Sequence, residues 1–253
     1  MLKFFKEIRR KLLLEKRFSK YLVYALGEIT LVVIGILLAL QFNNLNEQSK
    51  INKDQTGYLR LLRHEMANNL TALQIEREDL GTVVHKLRSF IMLMDRSKEE
   101  VSEKELAVAL SDIFNKNFQF KYENGALTEL IATGGLKNIA NDRIRNLLAS
   151  WESRVQKVIN QEQVVNRYIQ KGNEVLEKKG SFRSIIDHTN ENEQWQIAKL
   201  PEPVSNLFIL ESQEFENILI IAIGTGEHLY KTVYPGLEKD LELLIDLIDN
   251  ELP

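Results

Sequence analysis

Cysteine is absent from all 253 residues, which excludes disulfide staples, thiolate nucleophiles and thiolate-bound zinc. The phosphate and nucleophile signatures are missing too: there is no Walker motif, no G-x-S-x-G elbow and no EF-hand loop. Gly224-Thr225-Gly226 lacks the third glycine and the preceding strand of a dinucleotide fingerprint. His64-Glu65-Met66-Ala67-Asn68 starts like a zinc-protease helix, but asparagine stands where the second ligand must be. The four histidines, His64, His85, His188 and His228, share no metal-ligand spacing. No cofactor, no metal and no catalytic constellation is therefore expected, and the chain does not read as an enzyme. Repeats of about thirty residues and low-complexity tracts are also lacking.

One long hydrophobic run is present. Tyr21 to Phe42 is apolar apart from Glu28, Thr30 and Gln41. At ~1.5 Å per helical residue it measures roughly 33 Å, the thickness of a bilayer's hydrocarbon core. Ahead of it lie eight basic residues, from Lys3 to Lys20, against only Glu7 and Glu15. The positive-inside rule keeps that end in the cytoplasm. Setting aside those ten charges and Glu28 leaves 25 basic and 33 acidic residues, about −8 for everything beyond the span. An acidic outer segment argues against nucleic acid as a partner. A cleaved signal peptide is the competing reading, but the run is too long and Ala39-Leu40-Gln41-Phe42 offers no small-residue cleavage pair.

Residues 2–18 place Phe4, Phe5, Ile8 and Leu12 near one helical face among cations. Two readings stand: a helix lying on the inner membrane surface, or a charged stop to the span. After Phe42 the polar stretch Asn43 to Lys50 holds neither glycine nor proline, so nothing ends the helix where it leaves lipid. From Leu59 to Met94, apolar residues recur at steps of three and four with Arg77 in one gap. Ser102-Glu103-Lys104-Glu105 has the capping-box form and predicts a short helix. Asn117 to Glu123, with alternating Phe118, Phe120 and Tyr122, reads as a short extended piece or a packed loop. Gly125 to Thr133 predicts a helix closed by Gly134-Gly135. Asn141 predicts the cap of a helix running to Lys179-Gly180, its seam from Ile144 to Leu176 interrupted by Glu162. Ser181 to Pro203 is expected to be irregular, and a last helix from Ser212 should kink or split at Pro235.

These elements predict an all-α protein: a single N-terminal transmembrane helix, then an extracytoplasmic bundle of three long helices plus short ones, mostly antiparallel. The division is a basic cytoplasmic segment (1–20), the span (21–42) and a periplasmic domain (43–253). Two constellations stand out. Tyr21, Tyr24, Gly35 and Ala39 lie within about 40° of Glu28 on a helix, a polar and small stripe amid leucine and valine. Glu28 there serves helix packing, carries protons, or is a tolerated glutamate reaching the interface. If the two long helices with polar seam breaks run antiparallel, Arg77 and Glu162 fall at one level as a register-setting ion pair; otherwise both reach solvent. Trp151, Trp195, Tyr58 and Tyr168 read as core or interface anchors.

Phe4-Phe5-Lys6-x-Ile8-Arg9-Arg10-Lys11, followed by Lys20-Tyr21-Leu22-x-Tyr24-Ala25-Leu26-Gly27-Glu28 and the run to Asn44, resembles the start of a domain-of-unknown-function family of single-pass proteins from Bacteroidetes-type bacteria. The resemblance extends to Leu127 to Ile139 and to the acidic, leucine-rich C-terminus. It implies an inner-membrane address, an α-helical outer domain and a place for Glu28 in the family signature, with no catalytic residues to carry over. Leu45 departs from the tryptophan expected in Asn-Asn-Trp-Asn. The expected function is an interaction or scaffold module, sensory in one version, whose partners are the lipid bilayer and a second copy or another membrane protein met through the transmembrane helix. The rival is a proton-coupled, energy-transducing subunit that uses Glu28.

Overall fold

The computed structural model describes Arg10, residues 18–114 and residues 116–252. The amphipathic segment 2–18 thus lies, but for Arg10 and Phe18, outside the described residues. All regular structure among the described residues is helical. The chain divides into two units, Met1–Gly57 and Tyr58–Pro253, and helix α1, Phe18–Met94, contributes to both.

In the first unit, none of the apolar window of α1 is buried, and this is the single helix among the described residues long and apolar enough to cross a membrane. Leu22, Ile29, Leu31, Leu40 and Phe42 are all exposed. The polar stretch after Phe42 continues as helix, as its lack of glycine and proline predicts.

The second unit has its own core. After α1 come α2 (Glu103–Phe114), α3 (Gly125–Ala132), α4 (Asp142–Ala149) and α5 (Trp151–Lys179). Then follow α6 (Phe182–Thr189), α7 (Glu191–Gln194), α8 (Gln213–His228) and α9 (Tyr234–Glu251). Side-chain oxygens start several of them: Ser102 accepts from the Glu105 amide at 3.1 Å, Asn141 from Arg143 and Ile144, and Ser212 from Phe215. Only the serine half of the expected capping box serves the helix start, because the Glu105 carboxylate pairs with Arg96 at 2.5 Å. Gly134 closes the turn after α3 at φ 66°, the left-handed conformation glycine adopts freely.

Two boundaries differ from expectation. The helix capped by Asn141 is interrupted at Ser150, a turn residue at φ −96° and ψ 0°, before Trp151 starts α5. The segment after Ser181 is not irregular throughout: the Ser181 hydroxyl caps α6 at the Ser184 amide, and Ile185 and Ile186 bury one face of it. A short amphipathic helix between polar stretches has too few turns to show its period in the sequence.

At Pro235, where a kink or split is expected, the backbone stays helical and changes only its winding. A π-helical turn, Leu229–Val233, joins α8 to α9 just ahead of Pro235. Widening the turn relieves the clash of the proline ring with the preceding carbonyls, and Arg77 Nε donates to the carbonyl of Tyr230 in that turn at 3.2 Å.

Ion pairs fix the direction of packing. Arg63 meets Asp249 at 2.9 Å, Arg77 meets Glu238 at 2.7 Å and Arg88 meets Glu227 at 2.5 Å, so the 58–94 part of α1 runs antiparallel to α8 and α9. Arg154 pairs with Asp240, and Lys179 with Glu214 at 2.5 Å, so α5 is antiparallel to the same pair. The two helices are therefore parallel to one another, against the antiparallel arrangement assumed for Arg77 and Glu162. Close approach needs glycine here: a Cβ on Gly226 would lie 2.7 Å from Val84 Cγ2. Trp151, Tyr234, Phe90, Phe118 and Phe215 are the largest buried side chains, and Phe90 and Phe215 meet edge to face at 5.5 Å.

Candidate functional site

The exposed apolar run of α1 belongs to the first unit. Glu28 is half-buried, and Gly35 and Ala39 are exposed. A Cβ added at Gly35 would meet nothing within 4 Å, so the helix offers a flat, accessible strip there. The side chain of Tyr24 lies outside the described residues.

The second unit centres on residues 116–124, which form neither helix nor strand. Phe118 and Phe120 are buried while Gln119 and Lys121 are exposed, the alternation of an extended chain. Without a neighbouring strand, its backbone groups need other partners. Asparagine side chains supply them. Asn69 donates to the Glu123 carbonyl at 2.8 Å and accepts from the Glu123 amide at 2.6 Å. Asn166 does the same with Phe118, at 2.7 and 2.9 Å. Each amide imitates one residue of a strand partner, presenting a donor and an acceptor side by side. Asn206 repeats the arrangement on Ser181, at 2.8 and 3.1 Å.

Three carboxylates serve this extended strap, residues 116–124, and the helix start that follows it. Glu65 accepts from the amides of Ala126 at 2.7 Å and Leu127 at 3.3 Å, capping α3 where Asn124 makes no side-chain cap. Glu76 accepts from the backbone of Gln119. Glu162, 2% exposed, accepts from the Phe120 amide at 2.9 Å and the Tyr234 hydroxyl at 2.8 Å. Burial raises the Glu162 carboxyl above the usual carboxylate range, partly offset by those two donors. Tyr234 is pushed up in turn by burial and by the neighbouring Glu162. Burial and nearby Asp79 also raise Glu76.

Arg77 and Glu162 do not form the expected pair. Arg77 joins Glu238 and lies 5.1 Å from the centre of the Tyr230 ring, while Glu162 turns to the strap and Tyr234. The parallel course of their helices removes the register that spacing suggested. The strap's clamps were not foreseen. A signal was present: Asn69 sits three residues after Met66 and four before Leu73, a seam position, and is 1% exposed. Leu70, one residue on, also fits a three-and-four spacing from Met66 to Leu73, so the apolar pattern passes over Asn69.

His64 is exposed, and the glutamate and asparagine of the protease-like motif serve the strap, Glu65 as cap and Asn68 as donor to Glu123 at 3.0 Å. Among the described residues no group of three or more His, Asp or Glu side chains is placed to hold a metal ion. The geometry thus describes a clamped structural joint in the second unit and an exposed apolar helix in the first. No curated protein and no solved structure matches the chain. Residues 28–201 match a family of unknown function, DUF6090, and the chain belongs to that family.

Proposed function

We propose that this chain is an inner-membrane-anchored helical interaction or scaffold module, with a cytoplasmic N-terminus and a periplasmic folded unit that works through protein contacts. The observation that carries the reading is the exposed run from Leu22 to Phe42, none of whose most apolar window is buried. Leaving large aliphatic side chains in water forgoes about 1.5–3 kcal/mol each, so this helix belongs in lipid or against a partner. Basic residues before the run favour the inward orientation of that end. Clamped joints and ion-paired helices in the second unit suit a rigid body that transmits or presents rather than one that turns over a substrate. This family relationship brings no activity with it.

Within lipid, the strip of Tyr24, Glu28, Gly35 and Ala39 is the face offered to a second copy or to another membrane protein. The absence of native cysteine makes the test clean. Single variants Gly35→Cys and Ala39→Cys in native membranes are expected to give an oxidation-dependent crosslinked band, and Leu37→Cys, on the opposite side of the helix, is expected not to. Equal crosslinking at all three positions, or none at any, removes the strip as an interface. A sensory version adds signal passage along α1. Glu28→Gln is expected to preserve the crosslinks and function, since packing tolerates an amide where proton transfer does not.

A further inference from the structure

A second feature of the folded unit owes nothing to the membrane reading. A groove of about 500 Å³ opens between α2, the C-terminal end of α5 and the α6–α7 pair. Leu110, Leu176, Ile185 and Ile186 form its buried floor. At its edge stand Phe182, Trp195 and Ile197, 43%, 55% and 39% exposed. Isolated apolar side chains on a surface need no explanation, but three large ones gathered around one cavity with an apolar floor describe a ligand site.

The backbone holds this arrangement at a cost. Asn190 and Gln196 adopt φ of 63° and 56° and bracket α7 and Trp195. Asparagine tolerates the left-handed region, whereas glutamine gains nothing local from it. The Ile197 amide donates back to the Asn192 carbonyl at 2.9 Å, and Arg183 Nε donates to the Ala198 carbonyl at 3.1 Å, which pins the chain on the far side of the turn. Trp195 is therefore kept at the groove by a constrained turn instead of being drawn into the core.

Charge narrows the occupant. Glu177 and Glu191 line the groove. Glu191 accepts from the Ser111 hydroxyl at 3.2 Å and keeps further acceptor capacity, and Glu177 makes no ion pair among the described residues. Arg183, the one cation of the lining, keeps its charge but turns Nε and a terminal nitrogen to the Ala198 carbonyl, and the two carboxylates outnumber it. We infer that this groove binds a small molecule with an apolar body of aromatic-ring size and a protonated amine, the body against Trp195 and Phe182 and the amine toward Glu177 and Glu191. The cation gains both from the carboxylates and from the face of the indole.

Trp195 and Trp151 are the two tryptophans, and Trp151 is buried, so an emission change on binding reports Trp195. The full chain in lipid nanodiscs is titrated with 4-phenylbutylamine and with 4-phenylbutanoate, empty nanodiscs serving as the blank for partition into lipid. Saturable quenching by the amine is expected, with affinity at least about tenfold above that of the carboxylate. The double variant Glu177→Gln, Glu191→Gln is expected to weaken the amine about tenfold and leave the carboxylate no weaker. Calorimetry on Trp195→Ala is expected to lose the binding heat while circular dichroism is unchanged. Absence of saturation, equal affinity for the two probes, an unaltered amine affinity in the double glutamine variant, or full binding heat in Trp195→Ala each overturns the assignment.

Discussion

Burial raises the pKa of the Glu162 carboxyl, so the folded chain holds that proton to higher pH than the unfolded chain does. The stability this provides is full below the ordinary carboxylate range. It declines as pH rises through the interval between the unfolded and folded values, and above the folded value the ionised group remains as a burden. Glu162→Gln keeps an oxygen for the Phe120 amide and the Tyr234 hydroxyl without a charge to bury. Its melting temperature is expected to match the native protein in acid and to exceed it increasingly toward neutral pH, as thermal unfolding monitored by circular dichroism would show. A native protein that gains on the variant as pH rises contradicts the buried-charge account. Glu162→Leu leaves both donors unsatisfied and is expected to cost about 2–4 kcal/mol against the glutamine variant at every pH, read by urea denaturation. At this scale the sequence was half legible. A glutamate in an apolar seam announced that something polar must meet it, but its partner, a backbone amide 42 residues earlier, has no side-chain signature.

Helices meet at glycines in one place and not in another only two residues away. Gly226 and Gly224 look alike in the sequence, yet a Cβ on Gly226 would strike Val84 at 2.7 Å, and one on Gly224 would touch nothing within 4 Å. Gly226→Ala is expected to destabilise the fold by about 1–3 kcal/mol through overpacking. Gly224→Ala, in a helix interior facing open space, is expected to stabilise it by up to about 1 kcal/mol. Chemical denaturation of the pair checks both signs, and equal effects would mean that α8 does not lie against α1 as described. Cap residues are the most legible element features: Ser102 and Asn141 act where the sequence places them, since a capping bond spans two or three residues and needs no distant partner, and Ser212, expected only as the start of the last helix, caps it as well. The run after Ser181 is not legible as helix because its capping serine and two buried isoleucines lie within a single helical turn or so.

The whole molecule joins a helix with no core to a unit that has one. If the first crosses a bilayer with its basic end inside, a phosphatase active only in the periplasm, fused after Lys98, is expected to be active, and the protein is expected to stay with vesicles washed in alkaline carbonate. A silent fusion reverses the orientation, and release by carbonate removes the anchor.

Local chemistry, written in adjacent residues, was settled by the sequence alone. The long apolar run, the helical character of nearly every segment, the caps at Ser102 and Asn141 and the irregularity next to Pro235 all depend on contacts within about a turn or two of helix. Tertiary structure decided what depends on chain direction. Spacing repeats equally well for parallel and antiparallel neighbours, so it could not say that α5 runs parallel to the 58–94 part of α1, nor that Arg77 turns to Glu238 and Glu162 to Tyr234. Nor could it show that Asn69 and Asn166 would stand in for a missing strand, because the groups they satisfy belong to a backbone that every sequence shares.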